Sequence, residues 1–357
     1  MRGMTTSRTH SGAKAFAAFA TSFVLLASAT LVASATLAFE ASAQPVSANT
    51  GCTGAYGWPI KPFDKAHPVR GNFGDPRTRY EGARTDATLL QGDGALSFHQ
   101  GLDINAPDGT PVYAVASGTV TRARGLRATV ACGNGRSFQY WHIYESVRVG
   151  QKVEASKTVI GFILPKREHV HLTHLQNGRA VNPLAPGRLT PYVDTTSPEV
   201  LEISIRTVDE MEEVDPERVR GGAVFVAEAV DTPALAVQGR WHGGFPVTPA
   251  QIAWRIESEG RVVLAQRSAW NVRRSVPKND RFFTAFARGT YQNWPVFGSE
   301  KYRFEHGRYL FKLSARPFDT LALPDGEYEL VVTAADTTGN SDELRRAFRI
   351  DNGLSAS

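Results

Sequence analysis

Two short stretches carry residues that could share one metal ion. His99-Gln100-Gly101-Leu102-Asp103 sets an imidazole and a carboxylate four positions apart around a glycine, and His169-Val170-His171 sets two imidazoles one residue apart. Val170, Leu172 and Leu175 give the second stretch the apolar content of a strand, whose period of two places His169 and His171 on one face with their rings side by side. Gly101 lets the backbone come close to a neighbour, and Asp103 begins a further strand-like run. Imidazole nitrogen and carboxylate oxygen are donors that suit a borderline ion such as Zn²⁺, and a catalytic site of that kind uses three protein ligands and leaves one position for water. A third piece, Trp141-His142, supplies another imidazole for the same centre. A single histidine or aspartate is usually a surface or hydrogen-bonding group; it is the two motifs together in one segment that favour a metal centre.

The elements that must hold these residues are strands. After Asp103 the text is short apolar runs punctuated by turns: Pro107-Asp108-Gly109, then 110–116, then Gly118 and 119–122, with no room for helices. A strand is expected over 138–143, carrying Trp141 and His142, and a buried strand over 159–163. The run 169–175 ends at Asn177-Gly178, a strong hairpin signal. Upstream, 69–75 reads as a short strand entering a Gly-rich turn, and 81–97 as a loop leading into His99, placed to form a cleft wall.

Past Thr195-Thr196-Ser197-Pro198 the composition shifts as at a domain linker. Strand-like segments at 199–205, 223–229, 252–256, 261–265, 309–313 and 328–335, without helical periodicity between them, argue for a β-sandwich. The acidic piece 209–215 reads as a solvated loop or short helix. Trp241, Trp270 and Trp294 could bind glycan if exposed, but core packing is their expected use.

A length of 357 residues suits two domains, and a net charge of +5, spread without a basic stripe, gives no nucleic-acid footprint. Residues 1–43 read as an export signal, with an uncut membrane anchor over Ala15 to Phe39 as the alternative: Arg2, Arg8 and Lys14 precede a long apolar stretch ending in the small-residue site Ala41-Ser42-Ala43. No other stretch is long and apolar enough to span a bilayer, so no stable membrane insertion is expected after cleavage. The expected location is exported: periplasm, cell envelope or extracellular. The two cysteines, Cys52 and Cys132, are a candidate disulfide there, with two free thiols as the alternative.

Between about Pro68 and Pro186 the sequence resembles the lysostaphin-type (LytM-like) zinc endopeptidases of bacterial cell walls. The resemblance rests on His99-x-Gly101-x-Asp103, Trp141-His142 and His169-x-His171 in that order, with support from Asn72-Phe73-Gly74, 106–116 and 178–183. It implies an all-β chain, an antiparallel β-sheet metallopeptidase domain of duplicated-hybrid-motif type followed by the β-sandwich. The divisions are then 1–43 signal, 44–67 arm, 68–192 peptidase domain and 193–357 sandwich. The turn chemistry at 324–328 and 334–340 resembles the last hairpin of immunoglobulin-like modules. Carried over by position, the resemblance makes His99, Asp103 and His171 the Zn²⁺ ligands. His142 and His169 become catalytic neighbours that handle the proton of the attacking water and steady the oxyanion. It implies peptidoglycan peptides as substrate, cut in stems or cross-links. Departures are Val170, where Leu is frequent, and Ser156, where Gly is usual; neither is a proposed ligand. No His-Glu-x-x-His motif supports a thermolysin-like alternative. His174, three residues beyond His171, falls on the other strand face and reads as structural or surface, and His67 as a loop residue. Two other functions share this text: a non-catalytic regulator of another wall hydrolase, which usually lacks a ligand, and a secreted protease acting on non-wall proteins.

Overall fold

Strand β8 (Arg136–Trp141) alternates strictly, burying Phe138 and Tyr140 on one side and turning Gln139 and Trp141 to the other. That two-residue rhythm builds most of the molecule. The computed structural model describes residues 52–78, 96–238, 246–292, 296–299 and 306–353. The expectations for the signal 1–43, for loop residues 81–95, and for Trp241 and Trp294 lie outside the described residues.

The strands of the first part are β1 (Val69–Gly71), β2 (Pro76–Arg77), β3 (Ser97–Phe98), β4 (Leu102–Asn105), β5 (Pro111–Tyr113), β6 (Gly118–Ala123) and β7 (Arg127–Gly133). After β8 follow β9 (Ile143–Glu145), β10 (Lys152–Val153), β11 (Val159–Ile163), β12 (His169–Gln176) and β13 (Arg179–Val181). The main sheet runs β1-β4-β12-β8-β7-β6-β10, with β13 paired to β12, and β5-β11-β9 form a smaller sheet. Among the described strands every pairing is antiparallel. The hairpin from β12 to β13 turns at Asn177 and Gly178, both at positive φ, as an Asn-Gly pair does.

The second part supplies β14 (Glu199–Arg206), β15 (Gly222–Val230), β16 (Gln251–Ser258), β17 (Arg261–Asn271), β18 (Leu310–Lys312), β19 (Phe318–Asp319), β20 (Gly326–Ala335) and β21 (Ser341–Ile350). They form the sheets β14-β15-β18, with β19 on β15, and β17-β16-β20-β21. Phe225 on β15 meets Trp254 on β16 and Phe348 on β21, so the two sheets face each other as a sandwich. The likeness to immunoglobulin modules rests on its turns alone. Trp270 is 2% exposed and belongs to the core.

Residues from Pro45 onward gather into one unit, and one apolar cluster runs through both parts. Phe98 stacks on Trp270, Phe282 and Phe286, so the second part buttresses the residue next to His99. Burial of such rings contributes on the order of 2 kcal/mol each.

Three expectations change. The strand expected over 138–143 breaks at His142, whose φ of 63° ends β8 in the main sheet and starts β9 in the smaller one. In β11 Ile160 and Ile163 are buried but Phe162 is 42% exposed, so that strand is not buried along its whole length. Cys52 and Cys132 are unbonded thiols, hydrogen-bonded to each other; burial, with Cys52 alongside, pushes the Cys132 thiol up to about 12. Among the described residues no helix is long and apolar enough to cross a membrane.

Candidate metal centre

Strand register assembles the site. Asp103 on β4 lies opposite His171 on β12, which lies opposite Trp141 on β8. His169 and Thr173 share the His171 face, while Val170, Leu172 and His174 point into the core. His99 sits in the turn between β3 and β4, where its backbone N–H donates to the Asp75 carbonyl over 2.9 Å. Gly101 is required in that turn, because a Cβ there would lie 2.5 Å from the Leu172 carbonyl and 2.7 Å from His171 Nε2.

Three ligand atoms converge. His99 Nε2 is 2.7 Å from His171 Nδ1 and 3.2 Å from Asp103 Oδ1, and His171 Nδ1 is 3.0 Å from the same oxygen. The outer ring atoms fix the tautomers. His99 Nδ1 donates to the Asn72 carbonyl at 2.7 Å, which leaves Nε2 with its lone pair. His171 Nε2 is assigned as donor to Thr173 Oγ1 at 2.8 Å, which leaves Nδ1 bare. Two bare imidazole nitrogens and a carboxylate oxygen at these separations repel one another unless a cation lies among them. The donor set therefore fits a divalent ion that takes nitrogen and oxygen ligands, with the rings oriented from outside as metal-bound histidines are. Among the described residues this is the one group of three or more His, Cys, Asp or Glu side chains whose ligand atoms lie within 4.8 Å of one another.

His169 and His142 stand beside that set. Their ring centroids are 4.7 Å apart, and His142 is 6.3 Å from the His171 ring. His169 Nδ1 donates to the Arg167 carbonyl at 2.6 Å, leaving Nε2 bare and 3.6 Å from Asp103 Oδ1. The turn before β12 is held by Asp108 Oδ1, which accepts the backbone N–H groups of Arg167 and Glu168 at 3.1 and 2.8 Å.

Burial, helped by the Arg77 charge, lowers the His99 pKa to about 3. Burial lowers His142 to about 4, with the Asp103 carboxylate opposing, and drives His169 well below its ordinary range. Asp103 goes the other way: burial raises it, but His99, His169 and Arg77 together hold the carboxyl well below the usual carboxylate range. At neutral pH the Asp103 carboxylate is thus charged beside the neutral imidazoles of His99, His142 and His169.

Of the five residues singled out in the sequence, His99, Asp103, His142 and His171 line one cleft, and buried His169 stands beside them, 3.6 Å from Asp103. His67 and His174 stand elsewhere. His67 Nε2 bonds the Pro62 carbonyl at 2.9 Å. His174 is 3% exposed on the core face, between Arg136 Nε at 3.0 Å and the Tyr56 hydroxyl at 3.2 Å.

Sequence reasoning missed Arg77. Its Nη2 donates to Asp103 Oδ2 at 2.7 Å, and it lines the cleft with His99, Asp103, Trp141, His142 and His171. Its other arm reaches Gln292 Oε1. Gln292 Nε2 in turn donates to Asp75 at 3.1 Å, and buried Asp75 also accepts the Thr248 N–H and hydroxyl at 2.9 and 2.8 Å. The second part of the chain thereby fixes the orientation of the Asp103 carboxylate through Arg77. The nearest sequence signal was the Asn72-Phe73-Gly74 turn just ahead of it.

A β-sheet cleft with a His/Asp/His donor set is the frame in which the comparisons fall. Residues 97–183 match the profile of peptidase family M23, a likeness that points to metallopeptidase chemistry. An "Uncharacterized metalloprotease" of Haemophilus influenzae is 36% identical over 101 residues, covering 26% of this chain and 21% of that protein. The chain thus spans about a fifth of that relative's length. Among solved structures, the SpoIIQ-SpoIIIAH pore-forming complex has a chain 25% identical, covering 37% of this chain and 89% of its own, at a TM-score of 0.28. A zinc-containing peptidase from Vibrio cholerae is 21% identical over 36% of this chain and 39% of its own, at a TM-score of 0.27.

Proposed function

We propose that this protein is an exported zinc-dependent endopeptidase that hydrolyses peptide bonds in peptidoglycan stems or cross-links. The observation that carries the reading is the convergence of His99 Nε2, Asp103 Oδ1 and His171 Nδ1 beside two further neutral imidazoles, inside the M23 segment. When bound, zinc supplies Lewis acidity toward the peptide carbonyl and makes water a nucleophile near neutral pH.

The chain's own residues do the remaining work. His99, Asp103 and His171 hold the ion, and their outer contacts to Asn72, Arg77 and Thr173 keep the donor atoms aimed inward. His169 Nε2, bare because Nδ1 is tied to Arg167, takes the proton of the attacking water and returns it to the leaving amine. The His142 ring, turned into the cleft by the corner between β8 and β9, donates its N–H to the developing oxyanion. Neutral imidazoles are the protonation state that a proton acceptor needs at pH 7. Export follows from the 1–43 segment, and the filled set of five residues favours an active enzyme over a regulator.

The test is product analysis of purified murein digested by the zinc-loaded protein, with zinc content measured in parallel. New free amino termini in the peptides, lost with chelation and restored by zinc, are expected. A metal-free protein inert toward walls and peptides would overturn the reading.

A further inference from the structure

The row of residues that builds the metal centre continues past it. On the sheet face shared by Asp103 and His171, Trp141 comes next on β8 and Arg127 lies opposite it on β7. The Arg124 N–H then donates to the Arg127 carbonyl at 3.1 Å, and Arg122 on β6 lies opposite Thr129, two residues along β7 from Arg127. Three guanidiniums are thus gathered at the far end of the row. The Arg127 guanidinium stacks on the Trp141 ring with its carbon 3.9 Å from the ring centre. Trp141 is held in turn by its Nε1–H, which donates to Gln139 Oε1 at 3.2 Å. Stacking occupies the flat face of the Arg127 group and leaves its in-plane N–H edge for a planar acceptor.

The protein does not neutralise this cluster. Nε of Arg122 and Nε of Arg127 are buried with no hydrogen-bond partner, although a buried donor without an acceptor is costly. Among the described residues no ion pair reaches Arg122, Arg124 or Arg127. The adjacent Glu145 carboxylate is engaged by the Arg127 backbone N–H at 2.7 Å. Three unpaired cations beside an aromatic platform describe an anion site.

Its distance from the metal centre selects the anion. Arg127 is two strands from His171, about 10 Å across the sheet. An extended peptide covers that span in about three residues. We propose that Arg122, Arg124 and Arg127, with Trp141 as platform, form a subsite for a carboxylate of the peptide substrate two to three residues from the bond that is cut. The proposal rests on the peptidase reading and sharpens it: the substrate is an acidic peptide with its carboxylates free.

Calorimetry on the full zinc-loaded chain tests this with two probes. One is the stem tetrapeptide L-Ala-γ-D-Glu-meso-diaminopimelate-D-Ala with free carboxylates; the other has the Glu α-carboxylate and the diaminopimelate ε-carboxylate amidated. The free acid should bind the wild type about tenfold or more tightly than the amide, as expected for charge-assisted pairs. In Arg122→Gln/Arg127→Gln that ratio should fall toward one. Arg124→Glu, at an exposed position, keeps the fold and should lower the ratio severalfold. Equal binding of the two probes by the wild type, or an unchanged ratio in both variants, overturns the subsite. So does a DNA dodecamer that depends on the same arginines and binds more tightly than the free acid. Hydrolysis is scored separately. Hydrolysis without a carboxylate preference removes the subsite alone; a preference without hydrolysis supports the subsite and removes the peptidase reading.

Discussion

The two faces of β12 both bury histidines and use them for opposite ends. On the cleft face, His171 has one nitrogen tied to Thr173 and the other bare, 2.7 Å from a second bare nitrogen. On the core face, His174 has both nitrogens engaged, by Arg136 Nε at 3.0 Å and the Tyr56 hydroxyl at 3.2 Å. That pair fastens the arm before β1 to the sheet, since Arg136 also donates to the carbonyls of Cys52 and Gly54 at 3.0 and 2.9 Å. Burial is common to both sides; a free lone pair aimed at other lone pairs is what distinguishes a ligand from a structural bolt.

This contrast can be broken at several points. The largest effect is expected for His171→Ala, which should lower bound zinc from one per chain to near zero and abolish hydrolysis, read by metal analysis and peptide cleavage. His169→Ala and His142→Ala should keep stoichiometric zinc and lower kcat by about 10²- to 10⁴-fold. If either loses its metal, the division between ligands and proton carriers is wrong. Arg77→Met should weaken zinc about 10- to 100-fold in chelator competition by freeing the Asp103 carboxylate to rotate, with Arg77→Lys between it and wild type. His174→Ala should leave zinc unchanged and destabilise by about 2 to 3 kcal/mol in denaturant titration, since it opens a cavity and leaves Arg136 and Tyr56 without a partner.

The smallest effect concerns pH. Burial, with Arg136 and Arg188 nearby, lowers His174 from its ordinary 6.5 to about 3. Between those values the unfolded chain binds a proton that the folded chain refuses. The contribution of a neutral His174 is therefore complete above about pH 6.5 and is lost as pH falls toward 3. His174→Gln, which can still donate and accept but cannot titrate, should flatten that part of the stability profile by comparison with wild type.

Much of this was legible in the residues. The two-residue period of 169–175 placed His169 and His171 together, and Asn177-Gly178 marked the hairpin that ends β12. The separation of His174 from His171 followed from the same period. The break at His142 was not legible, because nothing in an aromatic run announces a non-glycine residue at positive φ; the change of sheet imposes it. Arg77 was hidden because its partner Asp103 becomes its neighbour only when β2 pairs with β3 and β1 with β4, and Gln292 lies 215 residues further on. The arginine cluster was hidden for a related reason: Arg122, Arg124 and Arg127 are near in sequence, but only sheet register aligns them with the histidines.

That register has a consequence for how the protein matures. His99 and Asp103 are near each other in the chain, whereas His171 is 72 residues beyond His99. A slip of β12 by one residue would turn Val170 and Leu172 into the cleft and His171 into the core. A mispaired chain can offer the metal at most a fragment of its site. On the proposed metallopeptidase reading, metal uptake would then act as an inspection step at the end of folding, rewarding only chains whose central strand has settled in the right pairing.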